Sequence, residues 1–311
     1  MILNQDKDDR HQKQELPPVK NIAVAIDINQ DKDDRHPKPE LPPVKNTPLA
    51  IEKRDPLEFI VIVSGATILS FNAGFVNAIC ILTHKFGVTH VTGSSSGMGI
   101  AFATADFEMS MVLLCLISSY CAGSCFVGVF LQSRTFSLGE EYGKIFIFGS
   151  LIWLAAFLSQ WFFPLSFVSM YLCAFGSGLQ NAMTSNYSGN VLRTSHMTGV
   201  VCDIGIIIGR MIQGKEGELY RLYLLVPIYI AFVIGGVLAT IMHAELGEIC
   251  LLFNFVFFLI VGVSYSVVVG MRYHLSCWTV LLGSYSKVEL DVQSQFKFMK
   301  NMMGGMMKRK K

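Results

Sequence analysis

Charge is what most of this chain lacks. Only 18 of the 218 residues from Leu57 to His274 are Asp, Glu, Lys or Arg, against 21 of the 56 before them. A stretch so long and so poor in charge reads as a membrane domain behind a polar arm. Enzyme signatures are missing too. There is no G-x-S-x-G elbow, no Walker-type phosphate loop and no H-E-x-x-H zinc motif. Nothing sets a nucleophile beside a base, so the expectation is a protein that is not an enzyme and has no cofactor. Six of the eight cysteines (Cys80, Cys115, Cys121, Cys125, Cys173, Cys202) lie in apolar segments, where cysteine is a small packing residue. No disulfide framework is expected, and Cys121 and Cys125 lack the His or carboxylate neighbours of a metal site. Met1 opens a charged stretch, so no cleavable signal peptide is expected. Net charge is +2 with no basic patch on a folded soluble surface, so nothing points to nucleic acid and no such partner is expected.

The arm, residues 1–56, holds eight of the ten prolines and is a tandem duplication. Asn4 to His11 recurs as Asn29 to His36, and Glu15 to Asn21 recurs as Glu40 to Asn46. Mixed charge, paired prolines and few large apolar side chains leave nothing to bury, so the arm is expected to be disordered. Its L-P-P-V segments could serve as extended ligands for a cytosolic partner. The tail, residues 275–311, closes on Lys308-Arg309-Lys310-Lys311. A polybasic end near a membrane is drawn to anionic lipid of the cytoplasmic leaflet, which favours a cytosolic C-terminus.

Inside the apolar domain, 57–274, one polar pattern occurs twice. Gly74-Phe75-Val76-Asn77-Ala78 is followed by Thr89-His90-Val91-Thr92-Gly93. Gly178-Leu179-Gln180-Asn181-Ala182 is followed by Ser195-His196-Met197-Thr198-Gly199. Polar groups are costly in a bilayer, so their repetition marks a site, and a duplicated site-bearing element is the mark of many transporter folds. On these residues the stretch from Leu57 to Arg272 resembles the YoaK family. That resemblance implies a polytopic membrane protein of unsettled activity.

Six runs are long and apolar enough to span a bilayer: about 57–82, 109–131, 145–163, 167–186, 223–243 and 249–271. The two H-x-T-G segments, Phe86–Ala105 and Leu192–Ile212, are ambiguous. If all eight cross with the N-terminus inside, the inner flanks hold seven Lys or Arg and the outer flanks four. If the H-x-T-G segments instead enter and leave on one side, the count becomes ten inside and one outside. The positive-inside rule therefore favours six spans plus two re-entrant or short helices in an all-α transmembrane bundle, with both termini cytosolic and the halves inverted. The alternative is eight spans with parallel repeats.

The candidate solute-binding residues are Asn77, His90, Thr92, Asn181, His196, Thr198 and Asp203. Thr92 and Thr198 are expected to cap helix starts, where free amides attract anions. His90 and His196 add donors that become cationic near neutral pH, and Asn77 and Asn181 offer amides to substrate or backbone. Two such half-sites meeting at the centre would suit a small anionic or strongly polar solute. His196, Asp203 and Arg210 are seven apart and share a helical stripe. Asp203 is an intramembrane carboxylate whose structural role would be an ion pair with Arg210 or Arg193. The first copy has Gly97 and Thr104 at those positions. Gly123, Gly128, Gly205, Gly209, Gly235 and Gly236 read as sites of close helix packing. The function that fits best is a secondary transporter in a membrane, in contact with lipid. The alternative is a non-transporting receptor, scaffold or assembly factor.

Overall fold

A computed structural model describes residues 56–131, 141–188, 192–214 and 219–273, with side chains from residue 63 to residue 271. The arm and the polybasic tail lie outside the described residues. The helices are α1 (Pro56–His84), α2 (Thr92–Ala103), α3 (Phe107–Phe130), α4 (Glu141–Phe162), α5 (Val168–Tyr187), α6 (Met197–Ile212), α7 (Leu219–Leu246) and α8 (Leu252–Tyr273). A 3-10 turn, Gly247–Leu251, joins the last two, and no strand occurs among the described residues.

The helix boundaries follow from local chemistry. Pro56 opens α1, where a missing N–H costs nothing. Asp106 caps α3 by accepting from Met109 N at 3.0 Å, and Glu108 in the first turn complements the helix dipole. Left-handed residues follow α1 and α2 (Lys85, φ 68°; Ala105, φ 57°), and Gly214 (φ 76°) does the same after α6.

Segments Val63–His84, Phe107–Phe130, Glu141–Phe162 and Leu219–Met271 are long and apolar enough to cross a membrane, the last containing both α7 and α8. Their outer faces carry exposed Met111, Leu114, Val129, Ile230, Val233, Ile234 and Ile241. Such surfaces are costly in water and belong against lipid, so this is a membrane protein. α5 is more polar than these helices because it is packed inside the bundle. Ser177, Gln180 and Thr184 on it are buried. By contrast, α2 has 12 residues and α6 has 16, about 18 and 24 Å at 1.5 Å per residue. Both fall short of a hydrocarbon core of about 30 Å.

The packing repeats itself. α1 packs chiefly on α7, α3 on α5 and α4 on α8, while α2 lies on α3 and α6 on α7. Gly74 presses on the Phe232 carbonyl and Gly235 on the Phe71 carbonyl, where α1 meets α7. Gly178 presses on the Tyr120 carbonyl and Gly123 on the Phe175 carbonyl, where α5 meets α3. The glycine that opens each G-x-x-N-A motif thus lets two backbones touch, in two crossings of the same design. Of the six glycines read from sequence as packing sites, Gly123 and Gly235 fill that role. Gly128, Gly205 and Gly209 face open space and Gly236 makes only ordinary contact at 3.8 Å.

Helix directions can be read from these contacts. Ser70 reaches the Ile228 carbonyl (2.9 Å) as Gly74 reaches Phe232, so α1 and α7 run parallel. A Cβ on Gly143 would meet Ser266 Oγ at 2.6 Å and one on Gly262 would meet Ile147 Cγ1 at 2.8 Å, so α4 and α8 run antiparallel. α4 and α5 are antiparallel as well, with Tyr142 beside Asn186 and Trp153 beside Gly176.

Candidate functional site

The two H-x-T-G segments are built alike. Each begins in a short irregular stretch, passes through a bend and enters a helix directly after the histidine or one residue later. The buried residues of α2 are Ser94 and Ala101, and those of α6 are Val200 and Ile207. They stand four and eleven residues after His90 and His196 respectively. In the first copy, Asn77 Oδ1 accepts from Val88 N (3.1 Å) and Thr89 N (3.3 Å), which ties the loop to α1. A Cβ on Gly87 would lie 2.9 Å from His90 Nε2 and 3.0 Å from Asn77 Oδ1, so Asn77 and His90 come together around this glycine.

In the second copy the loop is held differently. Asn181 is half-buried, and its Oδ1 makes no hydrogen bond among the described groups, with the Tyr120 hydroxyl beside it. Tyr120 Oη is 3.5 Å from Ser195 Oγ. The anchoring comes instead from a buried network between α1 and α5. Asn72 Nδ2 donates to Gln180 Oε1 (2.8 Å), and Gln180 Nε2 donates to the Leu69 carbonyl (2.7 Å), with Thr194 Oγ1 at 3.4 Å. Ser70 Oγ lies 3.1 Å from the Thr194 carbonyl. Asn72, Ser70 and Thr194 are almost wholly buried, and sequence reading singled out none of them. Gln180 was legible only as part of the motif.

A half-open cavity of about 290 Å³ lies where α6 begins, lined by Leu192, Arg193, His196, Gly199, Val200, Asp203, Leu225 and Ile228. It unites His196 and Asp203, as their spacing predicts, and adds Arg193. Gly199 belongs to the motif because the His196 ring folds over it, into the space a Cβ would fill. Asp203 pairs with Arg221 of α7, its Oδ2 3.1 Å from Nη2. This corrects the expectation of a partner in Arg210 or Arg193: the ion pair is made across the helix interface, out of view in a single-helix pattern. Arg210 lies on the exposed side of α6.

Two further expectations change. Thr92 and Thr198 are not caps. The N-caps are Val91 and His196, neither with a side-chain cap bond, and both threonines are exposed in the first helical turn. Nor do the two copies meet in one cavity. None of Asn77, His90 and Thr92 lines the space around Arg193 and His196. Chemically the cavity offers the Asp203 carboxylate, balanced by Arg221, together with the Arg193 guanidinium, an imidazole and uncapped helix amides. That set suits an anion or a strongly polar group. Among the described residues no group of His, Cys, Asp and Glu is placed to hold a metal ion.

The family model for "Protein of unknown function (DUF1275)" matches residues 65–264, most of the helical domain and both H-x-T-G segments. The chain belongs to this family. The match covers nearly the stretch that resembles the YoaK family, and it describes uncharacterised proteins without confirming that name. No curated protein and no solved structure matches the chain.

Proposed function

We propose that this DUF1275 protein is a secondary transporter of a small anionic or strongly polar solute, built from two inverted halves, α1–α4 and α5–α8. The observation that carries the reading is the cavity beside Arg193, His196 and Asp203, at the start of a helix too short to span. Transporters with inverted repeats commonly bind substrate where broken helices begin inside the membrane. Inversion is supported by the directions of the packed helices. α7 runs with α1, and beyond the 3-10 turn Phe253 of α8 packs back onto Phe75, ring centroids 4.5 Å apart. Asn72 of α1 meets Gln180 of α5 (2.8 Å) while Cys80 meets Cys173, so the two G-x-x-N-A helices run antiparallel. Six helices then cross, α2 and α6 dip in and return, and both termini face the cytosol. No enzymatic step is part of this reading, and the partners are lipid and the solute.

A cavity of this size lies at the lower end of small-molecule sites and admits a solute of few heavy atoms. Inorganic phosphate, sulfate, nitrate, acetate and lactate, each at millimolar concentration, should be screened against the purified protein by thermal shift. At least one should raise the melting temperature of the full-length chain, with the rise lost in Arg193→Gln and His196→Gln. Absence of any shift, or a shift untouched by both substitutions, would contradict an anion site here. Binding without uptake into liposomes would instead favour a non-transporting receptor.

A further inference from the structure

The two halves share one design but differ in shape, and the difference coincides with a difference in sequence. In the second half, Asp203 and Leu225 face a common cavity of about 290 Å³ between α6 and α7. The matching first-half residues are Gly97, seven residues after His90 as Asp203 is after His196, and Leu113. Leu113 stands to Tyr120 as Leu225 stands to Phe232, the carbonyls at the two glycine crossings. Here there is contact rather than space: a Cβ on Gly97 would already lie 3.2 Å from Leu113 Cδ1. α2 also packs on α3 more closely than α6 packs on α7. The ion pair Asp203–Arg221 stands between α6 and α7 in the second half, whereas Gly97 and Met109 stand at the matching places of the first half.

We infer that the first half carries a second solute site, around Asn77, Gly87, His90 and Leu113, shut in this structure, and that the two sites open in alternation towards opposite faces of the membrane. The inference rests on the inverted, transporting reading above and adds to it the mate of the cavity and the pair that sets which one is open. Two copies of one design in different shapes describe both end states of such an exchange, since the halves trade shapes. The first-half site takes the same chemical class of solute but holds it more weakly. Gly87 stands where the second half has Arg193, so His90 is its one basic side chain. A site that keeps an imidazole and lacks the guanidinium still favours a small anion, with less attraction.

The test uses the full-length chain with its native cysteines replaced and single cysteines at Leu225 or Leu113. A membrane-impermeant, charged methanethiosulfonate is applied to intact cells and to inside-out vesicles. Leu225→Cys should react from one face and Leu113→Cys from the other. Asp203→Gly, which removes volume, should slow labelling at Leu225 and speed it at Leu113, each about fivefold or more for a shift in the balance of states of about 1 kcal/mol. Moving the pair, with Gly97→Asp and Met109→Arg on a background of Asp203→Gly and Arg221→Met, should reverse which position reacts faster. If the two rates change independently, the cavities are separate and the inference is wrong. If the rates are reciprocal but both positions react from the same face, the inverted arrangement is wrong and opening towards opposite faces fails with it. Unchanged rates in Asp203→Gly would show that the ion pair props nothing open.

Discussion

Gly178→Ala lowers the melting temperature of the detergent-solubilised protein sharply, and Gly74→Ala does the same. At both positions a Cβ would enter the backbone of a neighbouring helix, at the Tyr120 carbonyl and the Phe232 carbonyl. Backbone cannot turn aside as a side-chain end can, so the helices must separate along their length. Overpacking of a tight core costs typically about 1–3 kcal/mol, and these sites belong at the upper end of that range. Gly123→Ala and Gly235→Ala, the opposite walls of the same crossings, should match them. The control is Gly205→Ala or Gly209→Ala, which adds a methyl to open space in α6. There the change removes a poor helix former and should be neutral or stabilising by up to about 1 kcal/mol. Equal melting of Gly178→Ala and Gly205→Ala would contradict the crossing described.

The second large effect is expected at Gln180. Gln180→Leu removes the acceptor of Asn72 Nδ2 and the donor to the Leu69 carbonyl, both in the buried contact of α1 with α5. An orphaned buried polar group costs about 1–3 kcal/mol; this change orphans the Asn72 amide, while the Leu69 carbonyl keeps its helical bond and loses a second one. Asn72 Oδ1 has no partner even in the native protein, so its amide depends on this one bond. The double change Asn72→Leu with Gln180→Leu should be less damaging than Gln180→Leu alone, because no side-chain amide is then left unpaired. A thermal or denaturant cycle over the four proteins checks this. A double variant as unstable as the sum of the singles would show that the two residues act separately.

The long helices were legible because long apolar runs leave few alternatives, and the runs from sequence lie within or close to α1, α3, α4, α5, α7 and α8. The shortness of α2 and α6 was legible as well, from the balance of Lys and Arg on the flanks of the H-x-T-G segments. Partners across helix interfaces were not. Spacing along one helix places His196 and Asp203 on one stripe but says nothing of Arg221, which arrives from α7. Nor does it show that Asn72 and Gln180, single polar residues in apolar runs, face each other. The threonine caps failed because each helix begins at or just before its threonine, which puts that side chain inside the first turn. Gly74 and Gly178 were read as part of a site motif, whereas their immediate physical role is to let two backbones touch.

The arrangement of the halves is tested most directly by side-specific labelling of connecting segments. Single cysteines at Lys85, Thr104, Leu165 and Gln213 in a cysteine-free full-length chain sit at exposed positions after α1, after α2, between α4 and α5, and after α6. A membrane-impermeant maleimide applied to intact cells and to inside-out vesicles assigns each to a face. Inverted halves with non-crossing H-x-T-G helices predict that Lys85→Cys, Thr104→Cys and Leu165→Cys are labelled from the outer face and Gln213→Cys from the cytosolic face. Eight full crossings would place Lys85→Cys and Thr104→Cys on opposite faces, and that result would contradict the inverted arrangement.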